Sequence, residues 1–177
     1  GIGVLWAREE LLEELPPFLG GGDMISTVSL TRGTTWAELP LKFEAGTTNY
    51  IGATALGEAL DFCQSFDRAA AEAHQQELLR QFSQMLHEEV DGVTIYGTTS
   101  HKAPICSFNI EGVHPMDIAQ IVDKLGVALR SGTHCAEPVM HHYGIHSTSR
   151  VSFAIYNTSQ EVEVAISAIK RATSMLR

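Results

Sequence analysis

The sequence lacks features that would mark several classes of protein. It has no apolar run of about 18–20 residues, the length that a membrane-spanning helix requires. It also has no extended block of Lys and Arg, and its 12 basic residues stand against 21 acidic ones, which gives a formal net charge of −9. Neither a membrane span nor a continuous basic surface for nucleic-acid phosphates is therefore expected.

Cysteine is also scarce. The three cysteines, Cys63, Cys106 and Cys135, are an odd number at irregular spacing, which is a poor framework for the disulfides of a secreted protein. The pattern favours a reducing compartment, and we expect a cytoplasmic protein. The chain also begins at Gly1 without an initiator Met or a cleavage site, and we interpret it as a fragment of a longer protein.

The first part of the chain predicts little regular structure. Residues 2–6 are a short apolar run that fits a buried strand, and residues 9–15 carry apolar side chains at helical spacing until Pro16. Residues 20–49 are rich in Gly, Ser and Thr and show no long periodicity. An irregular segment of this length is more often functional than merely connective.

The rest of the chain predicts helices that pack against a sheet. Helical spacing resumes near Ala53 and continues after Asp67, which is predicted as an N-cap; the pattern fits either two helices or one bent helix. From about residue 88 onward the periodicities predict the order β-β-α-β-α-β-α. The last strand is predicted over residues 150–156, followed by a helix whose capping box starts at Thr158. The sequence thus indicates a layered α/β or α+β unit.

Cys135 is the sharpest candidate for chemistry. It lies in the polar segment 130–138, which contains Gly and is predicted to form a loop up to Cys135, just ahead of a short helix. A thiolate there would be favoured by the helix N-terminus and by nearby Arg130 and His134. From these residues alone, a surface thiol without a role is the alternative.

The other histidines and cysteines predict no metal site. The histidines near this loop match no common zinc spacing, and the adjacent His141 and His142 would point apart on a helix. Cys63 falls on the apolar stripe of a predicted helix and Cys106 on the apolar face of a predicted strand. Both are interpreted as core residues.

Two further features suit anions. Arg150 lies on the strand face opposite Val151 and Phe153, where a fixed guanidinium could hold a substrate carboxylate through paired hydrogen bonds. A solvated edge-strand arginine is the alternative. Residues 43–49 offer Gly backbone, hydroxyls and an amide, which suit a phosphate, although the Lys and the spacing of a P-loop are missing.

Four segments together resemble one family, the pyridoxal-phosphate-dependent cysteine desulfurases and selenocysteine lyases of the class V aminotransferase group. Within it, the branch that mobilises sulfur for iron–sulfur cluster assembly is the most similar. The segments match in order and spacing and are GGGDMI at 20–25, FEAGT at 43–47 followed by Asn49, RSGTHCAEP at 130–138, and SRVSFAIYNT at 149–158. The resemblance implies the C-terminal portion of a fold-type I transferase. Residues 1–52 would be a remnant of the large cofactor-binding domain, and residues 53–177 a small α+β domain.

The resemblance also implies roles for individual residues. The cysteine that matches Cys135 attacks the sulfur of a cofactor-bound cysteine, becomes a persulfide and leaves alanine. The arginine that matches Arg150 holds the substrate carboxylate. Arg130 and His134 match residues that line the loop of this cysteine, and both are predicted to contact the substrate.

The cofactor site is represented only in part. Gly46 and Thr47 match residues that reach the phosphate of pyridoxal phosphate in the other subunit of a homodimer. The Schiff-base lysine of the family would precede Gly1, and none of the four lysines lies in its motif, so the isolated chain is expected to be inactive. Thr133 and Thr48 depart from the common His and Pro, which leaves open the preference between cysteine and selenocysteine.

The leading interpretation is a cysteine desulfurase that acts on L-cysteine or L-selenocysteine and passes sulfur to an acceptor protein. No metal, nucleic acid or membrane is expected to take part. Two alternatives stay open. One is a different aminotransferase or lyase reaction on the same scaffold, in which Cys135 is incidental, and the other is a non-catalytic module that accepts sulfur or docks a partner.

Overall fold

The computed structural model describes every residue from Gly1 to Arg177. The chain divides into two compact units, Gly1–Phe66 and Asp67–Arg177. None of its helices has the length and apolar character needed to cross a membrane. The boundary between the units follows residue 66, whereas the sequence places a domain boundary after residue 52. The assignment of these parts to a large and a small domain stays a prediction.

The first unit contains two helices and a two-stranded hairpin. Its elements are α1 (Glu9–Glu14), β1 (Ile25–Ser29), β2 (Gly33–Trp36), a 3₁₀ turn (Leu41–Phe43) and α2 (Tyr50–Gln64). β1 and β2 pair antiparallel. The buried Lys42 donates from Nζ to the carbonyl oxygens of Leu12 and Glu13 at 2.9 and 2.8 Å. This ammonium satisfies carbonyl groups at the C-terminal end of α1.

Two predictions for this unit are wrong. Residues 2–6 form no strand because no segment of the chain pairs with them, and Trp6 is 87% exposed. Residues 20–49 are not irregular throughout, since β1 and β2 lie within them. These strands have no buried residue, so hydrophobic alternation carried no signal for them. The helix predicted over residues 9–15 is confirmed as α1.

The second unit is a four-stranded sheet with three long helices on one face. Its elements follow in the order α3 (Arg68–Glu89), β3 (Val93–Tyr96), β4 (Ile105–Ile110), α4 (Pro115–Lys124), β5 (Arg130–Gly132), α5 (Glu137–Tyr143), β6 (Thr148–Ser152) and α6 (Ser159–Leu176). The strand order is β3-β4-β6-β5, with every neighbouring pair antiparallel. The predicted order β-β-α-β-α-β-α is confirmed.

The helix starts follow the capping chemistry of the sequence. Asp67 accepts hydrogen bonds from the N–H groups of Ala69 and Ala70, so α2 and α3 are two helices and not one bent helix. The capping box of Thr158 and Glu161 is present at the start of α6. In both places a side chain satisfies backbone donors that a helix end leaves free.

Two strands begin or end at residues that differ from the prediction. β5 begins at Arg130, inside the segment that the sequence predicts as a loop, because it pairs with β6 at the sheet edge. β6 ends at Ser152, whereas a strand to residue 156 was predicted. The chain turns there, since the side-chain oxygen of Asn157 accepts from the N–H of Ala154 at 2.8 Å.

The core of the second unit lies between the sheet and helices α3, α4 and α6. Phe82 is fully buried, and its ring centroid lies 6.2 Å from that of Phe108 and 5.6 Å from that of Phe153. Cys106 is buried in this core, as predicted. Cys63 is exposed, which overturns its assignment as a core residue, because α2 has no buried residue in this chain.

Truncation of the central aromatic side chain should destabilise the second unit strongly. We expect Phe82→Ala to lower the free energy of unfolding by about 3–5 kcal/mol, because it removes buried contacts and leaves a cavity. Chemical denaturation followed by circular dichroism measures this change. The matched control is Val164→Ala on the exposed side of α6, which should change the value by less than about 0.5 kcal/mol. Similar midpoints for both variants would contradict the packing described above.

Candidate active site

The polar face of the sheet carries two neighbouring arginines. Side chains of directly paired residues project from the same face of a sheet. Arg150 on β6 pairs with Ser107 on β4 and with Arg130 on β5. The next residue, Val151, points into the helical core together with its partner Cys106. Arg150 and Arg130 therefore project from the face opposite the core.

The charge of these arginines is not balanced within the chain. The Nε atom of Arg150 is buried and has no hydrogen-bond partner. The two ion pairs of the chain lie elsewhere, and neither involves Arg130 or Arg150. Like charges directly opposite each other in a sheet are unfavourable. A small anion such as a carboxylate would relieve this repulsion and supply an acceptor for the buried N–H group.

His134 is attached to the same strand through Thr148. Its Nε2 atom lies 3.1 Å from the carbonyl oxygen of Thr148 and 2.9 Å from its Oγ1 atom. Because a carbonyl oxygen only accepts, we assign the imidazole proton to Nε2. Nδ1 is buried and has no partner. Burial and the guanidinium of Arg150, with a smaller effect of Arg130, lower the pKa of His134, so the ring is neutral at neutral pH.

This lowered pKa makes stability depend on pH. In the unfolded chain the imidazole titrates near pH 6.5, so the unfolded state takes up a proton before the folded state does. The free energy of unfolding should therefore fall as the pH drops below about 6.5. We expect a smaller fall for His134→Gln, whose amide can still donate to Thr148. Denaturant titrations at several pH values measure both slopes, and equal slopes would contradict the assignment.

Cys135 lies in a short loop with unusual backbone geometry. His134 and Cys135 have φ angles of 56° and 57°, which place two consecutive residues other than glycine in the left-handed region. The N–H of Ala136 donates to the carbonyl of Thr133 at 2.9 Å and closes the turn. The Cys135 side chain is exposed. The loop therefore presents a thiol to the surroundings between β5 and α5.

The two residues predicted at a cofactor phosphate lie in the first unit. Gly46 has a φ angle of 77°, which favours glycine, and its N–H donates to the carbonyl of Gly22 at 2.9 Å. Thr47 is exposed, and Asn49 caps the start of α2 by accepting from the N–H of Gly52. A segment that leads into the N-terminus of a long helix suits a phosphate, because the helix dipole is positive there.

The predicted residues thus fall into two groups. The second unit brings together Arg130, His134 and Arg150, with Cys135 next to His134 in the chain. Thr148, which holds the His134 ring in this group, was not predicted from the sequence. The only signal for it was its position two residues before Arg150, which puts both side chains on one strand face.

Comparison with known proteins decides the family. Residues 1–164 match the class V aminotransferase family. The chain belongs to this family. Enzymes of the class V aminotransferase family depend on pyridoxal phosphate. The predicted family is thereby confirmed.

Relatives of this class V aminotransferase chain include cysteine desulfurases. The probable cysteine desulfurase of Vibrio cholerae is 46% identical over 176 residues, which are 99% of this chain and 43% of the relative. The chain thus spans less than half of the length of the curated relatives that it matches.

Solved structures agree with this fold. The cysteine desulfurase CsdA of Escherichia coli, in its S-sulfonic acid form, matches with a TM-score of 0.88 and 34% identity, over 97% of this chain and 42% of that chain. The apo cysteine desulfurase of Thermococcus onnurineus NA1 matches with a TM-score of 0.86 and 35% identity, over 96% and 42%. The predicted α/β class is confirmed as part of the fold of these enzymes.

Proposed function

We propose that this chain provides the nucleophile and the substrate-carboxylate site of a cysteine desulfurase. The proposal rests on two groups that lie on strand β6 and on the loop bonded to it: an arginine whose buried N–H has no partner and a cysteine with an exposed thiol. Arg150 has a buried N–H without a partner, and the loop tied to the same strand through His134 presents the exposed thiol of Cys135. Relatives at 46% and 34% identity that are named cysteine desulfurases support the same reaction.

In the proposed reaction the carboxylate of L-cysteine binds to Arg150, with Arg130 and His134 at the same face. The thiolate of Cys135 forms an S–S bond to the substrate sulfur while the substrate C–S bond breaks. The electron pair of that bond stays with the carbon, which takes up a proton and leaves as alanine. The transferred sulfur is oxidised and the carbon is reduced, so the step needs no external oxidant. L-selenocysteine would react in the same way.

Pyridoxal phosphate, when bound, supplies an electron sink that allows the C–S electron pair to remain with the carbon. The residues of this chain fit one part of the cofactor, which is its phosphate group. We propose that Gly46 and Thr47 contact the phosphate of the cofactor in the other subunit of a homodimer. The one buried lysine, Lys42, uses its ammonium group on two carbonyl oxygens and is a poor candidate for covalent attachment. This chain is therefore proposed to be inactive alone.

The later steps of the proposed function follow from the chemistry of a persulfide. Its outer sulfur is at an oxidation level that thiols of a second protein can accept directly. We propose that an acceptor protein in the cytoplasm takes this sulfur from Cys135 and that the sulfur serves iron–sulfur cluster assembly.

The test is product analysis with the protein at its natural length. The purified protein is incubated with L-cysteine and a thiol reductant, and alanine, sulfide and keto acids are quantified. Equal amounts of alanine and sulfide are expected. A keto acid without alanine would indicate another reaction of the family. Binding without any product would indicate a sulfur-accepting module. Either outcome would overturn the proposal.

A further inference from the structure

We propose that Thr148 is a positioning residue for the Cys135 loop and that it acts through the imidazole of His134. The inference rests on the proposed function, because it concerns the same nucleophile. The hydrogen bonds that Thr148 makes with a side chain are with His134, and none is with the thiol of Cys135 or with the two arginines. Its part is to fix the side chain that precedes Cys135 in the chain.

Thr148 is a suitable anchor because it cannot move easily. It is 1% exposed and lies at the start of β6, which is bonded to β4 on one side and to β5 on the other. Its partner in the β5 ladder is Gly132, the last residue of the strand before the loop. The loop is thus tied to β6 at two points, through the strand ladder at Gly132 and through the side chain of His134.

The loop needs such an anchor because its backbone is strained. Left-handed geometry is unfavourable for each residue other than glycine, and His134 and Cys135 adopt it in succession. Within the turn itself, one backbone hydrogen bond, from Ala136 to Thr133, opposes relaxation. The contact of His134 with Thr148 is the restraint that a side chain adds to this turn bond and to the strand pairing at Gly132.

The contact also fixes which nitrogen of His134 carries the proton. The carbonyl and hydroxyl oxygens of Thr148 both lie against Nε2, so the N–H group is held there. Nδ1 is left as a buried acceptor without a partner. The lowered pKa keeps the ring neutral, so it does not add a third positive charge beside Arg130 and Arg150.

Two variants of Thr148 separate positioning from general stability. Thr148→Val keeps the shape but removes the hydroxyl, whereas Thr148→Ser keeps the hydroxyl. With the protein at its natural length, we expect Thr148→Val to lower the kcat of alanine formation about tenfold, because a displaced nucleophile reacts more slowly. The KM for L-cysteine should change less than about twofold, since Arg150 is untouched. Thr148→Ser, which keeps the hydroxyl, should retain the kcat of the unchanged protein.

A second readout does not depend on activity. Hydrogen–deuterium exchange of the peptide that contains residues 133–136 should accelerate about fivefold in Thr148→Val, the change expected from loss of one hydrogen bond, but not in Thr148→Ser. His134→Leu removes both hydrogen bonds between the half-buried imidazole and Thr148 and should accelerate the exchange at least as much. It replaces Thr148→Val in the exchange experiment if that variant does not fold.

The outcomes distinguish this inference from the proposed function. If the unchanged protein makes no alanine from L-cysteine, the proposed function fails, while the exchange data still test the anchor. If the protein is active but Thr148→Val keeps its kcat, the inference is overturned. The inference is also overturned if Thr148→Ser loses kcat to the same extent as Thr148→Val. It is overturned as well if hydrogen–deuterium exchange is unchanged in both Thr148→Val and His134→Leu.

Discussion

Replacement of Cys135 by Ser is expected to abolish alanine formation from L-cysteine while substrate binding persists. The thiolate is the group that accepts the sulfur, and a hydroxyl at the same place is far less nucleophilic at neutral pH and cannot form the persulfide. Arg150, which is proposed to hold the carboxylate, is unaffected by the change. Alanine release measures the reaction, and titration calorimetry with L-cysteine measures binding.

Cys63→Ser is the matched control for this experiment. Cys63 is also an exposed thiol, but it lies on α2 in the first unit and has no role in the proposed reaction. This variant should keep full activity. Alanine formation at the normal rate by Cys135→Ser would mean that Cys135 is incidental, as in another aminotransferase or lyase of the family.

Removal of the guanidinium of Arg150 should raise the KM for L-cysteine about 100-fold. Loss of one partner of a buried, hydrogen-bonded charge pair costs about 2–5 kcal/mol, and the substrate carboxylate would lose its paired donors. The variant Arg150→Gln keeps a polar but uncharged and shorter side chain, and steady-state kinetics of alanine formation give the KM. Arg171→Gln, which removes an exposed charge on α6, is the control and should leave the KM unchanged.

Cysteamine makes this second prediction more specific, because it has the amine and thiol of cysteine but no carboxylate. The unchanged protein should bind L-cysteine much more tightly than cysteamine. Arg150→Gln should weaken binding of L-cysteine and leave that of cysteamine nearly unaltered. Equal weakening of both ligands would show that Arg150 supports the structure and does not recognise the carboxylate.

The C-terminal part of the fold was predictable because its signals are local. The stripe of α4 and the capping box at Thr158 belong to amphipathic helices, and the alternation around Phe108 belongs to a half-buried strand. Such patterns follow from the periods of helices and strands alone. The sequence therefore predicts every element from β3 to α6 in the right order.

The N-terminal part was less predictable because its structure depends on partners. Residues 2–6 have strand composition, but a strand forms only where another strand supplies hydrogen bonds. The hairpin of β1 and β2 buries little, so its sequence has no apolar alternation to detect. Cys63 has the spacing of a buried residue on a helix, yet no residue of α2 is buried within this chain.

In the candidate site, too, features with a local sequence signal were predictable and features that depend on distant contacts were not. Local residue patterns and the resemblance of contiguous motifs predict Cys135, Arg150, Arg130 and His134 as site residues. Thr148 was missed because its role arises from a contact across 14 positions of the chain, which no local pattern encodes. The left-handed geometry of the loop was also beyond sequence reasoning, since no glycine marks His134 or Cys135.

The most direct test of Cys135 as the nucleophile is to find which cysteine carries the transferred sulfur. The protein at its natural length is mixed with L-cysteine in the absence of reductant, alkylated, digested and analysed by mass spectrometry. We predict one additional sulfur atom on the peptide that contains Cys135 and none on the peptides that contain Cys63 or Cys106. Alanine formation without additional sulfur on Cys135, or with sulfur on another cysteine, would contradict the assignment of Cys135 as the nucleophile.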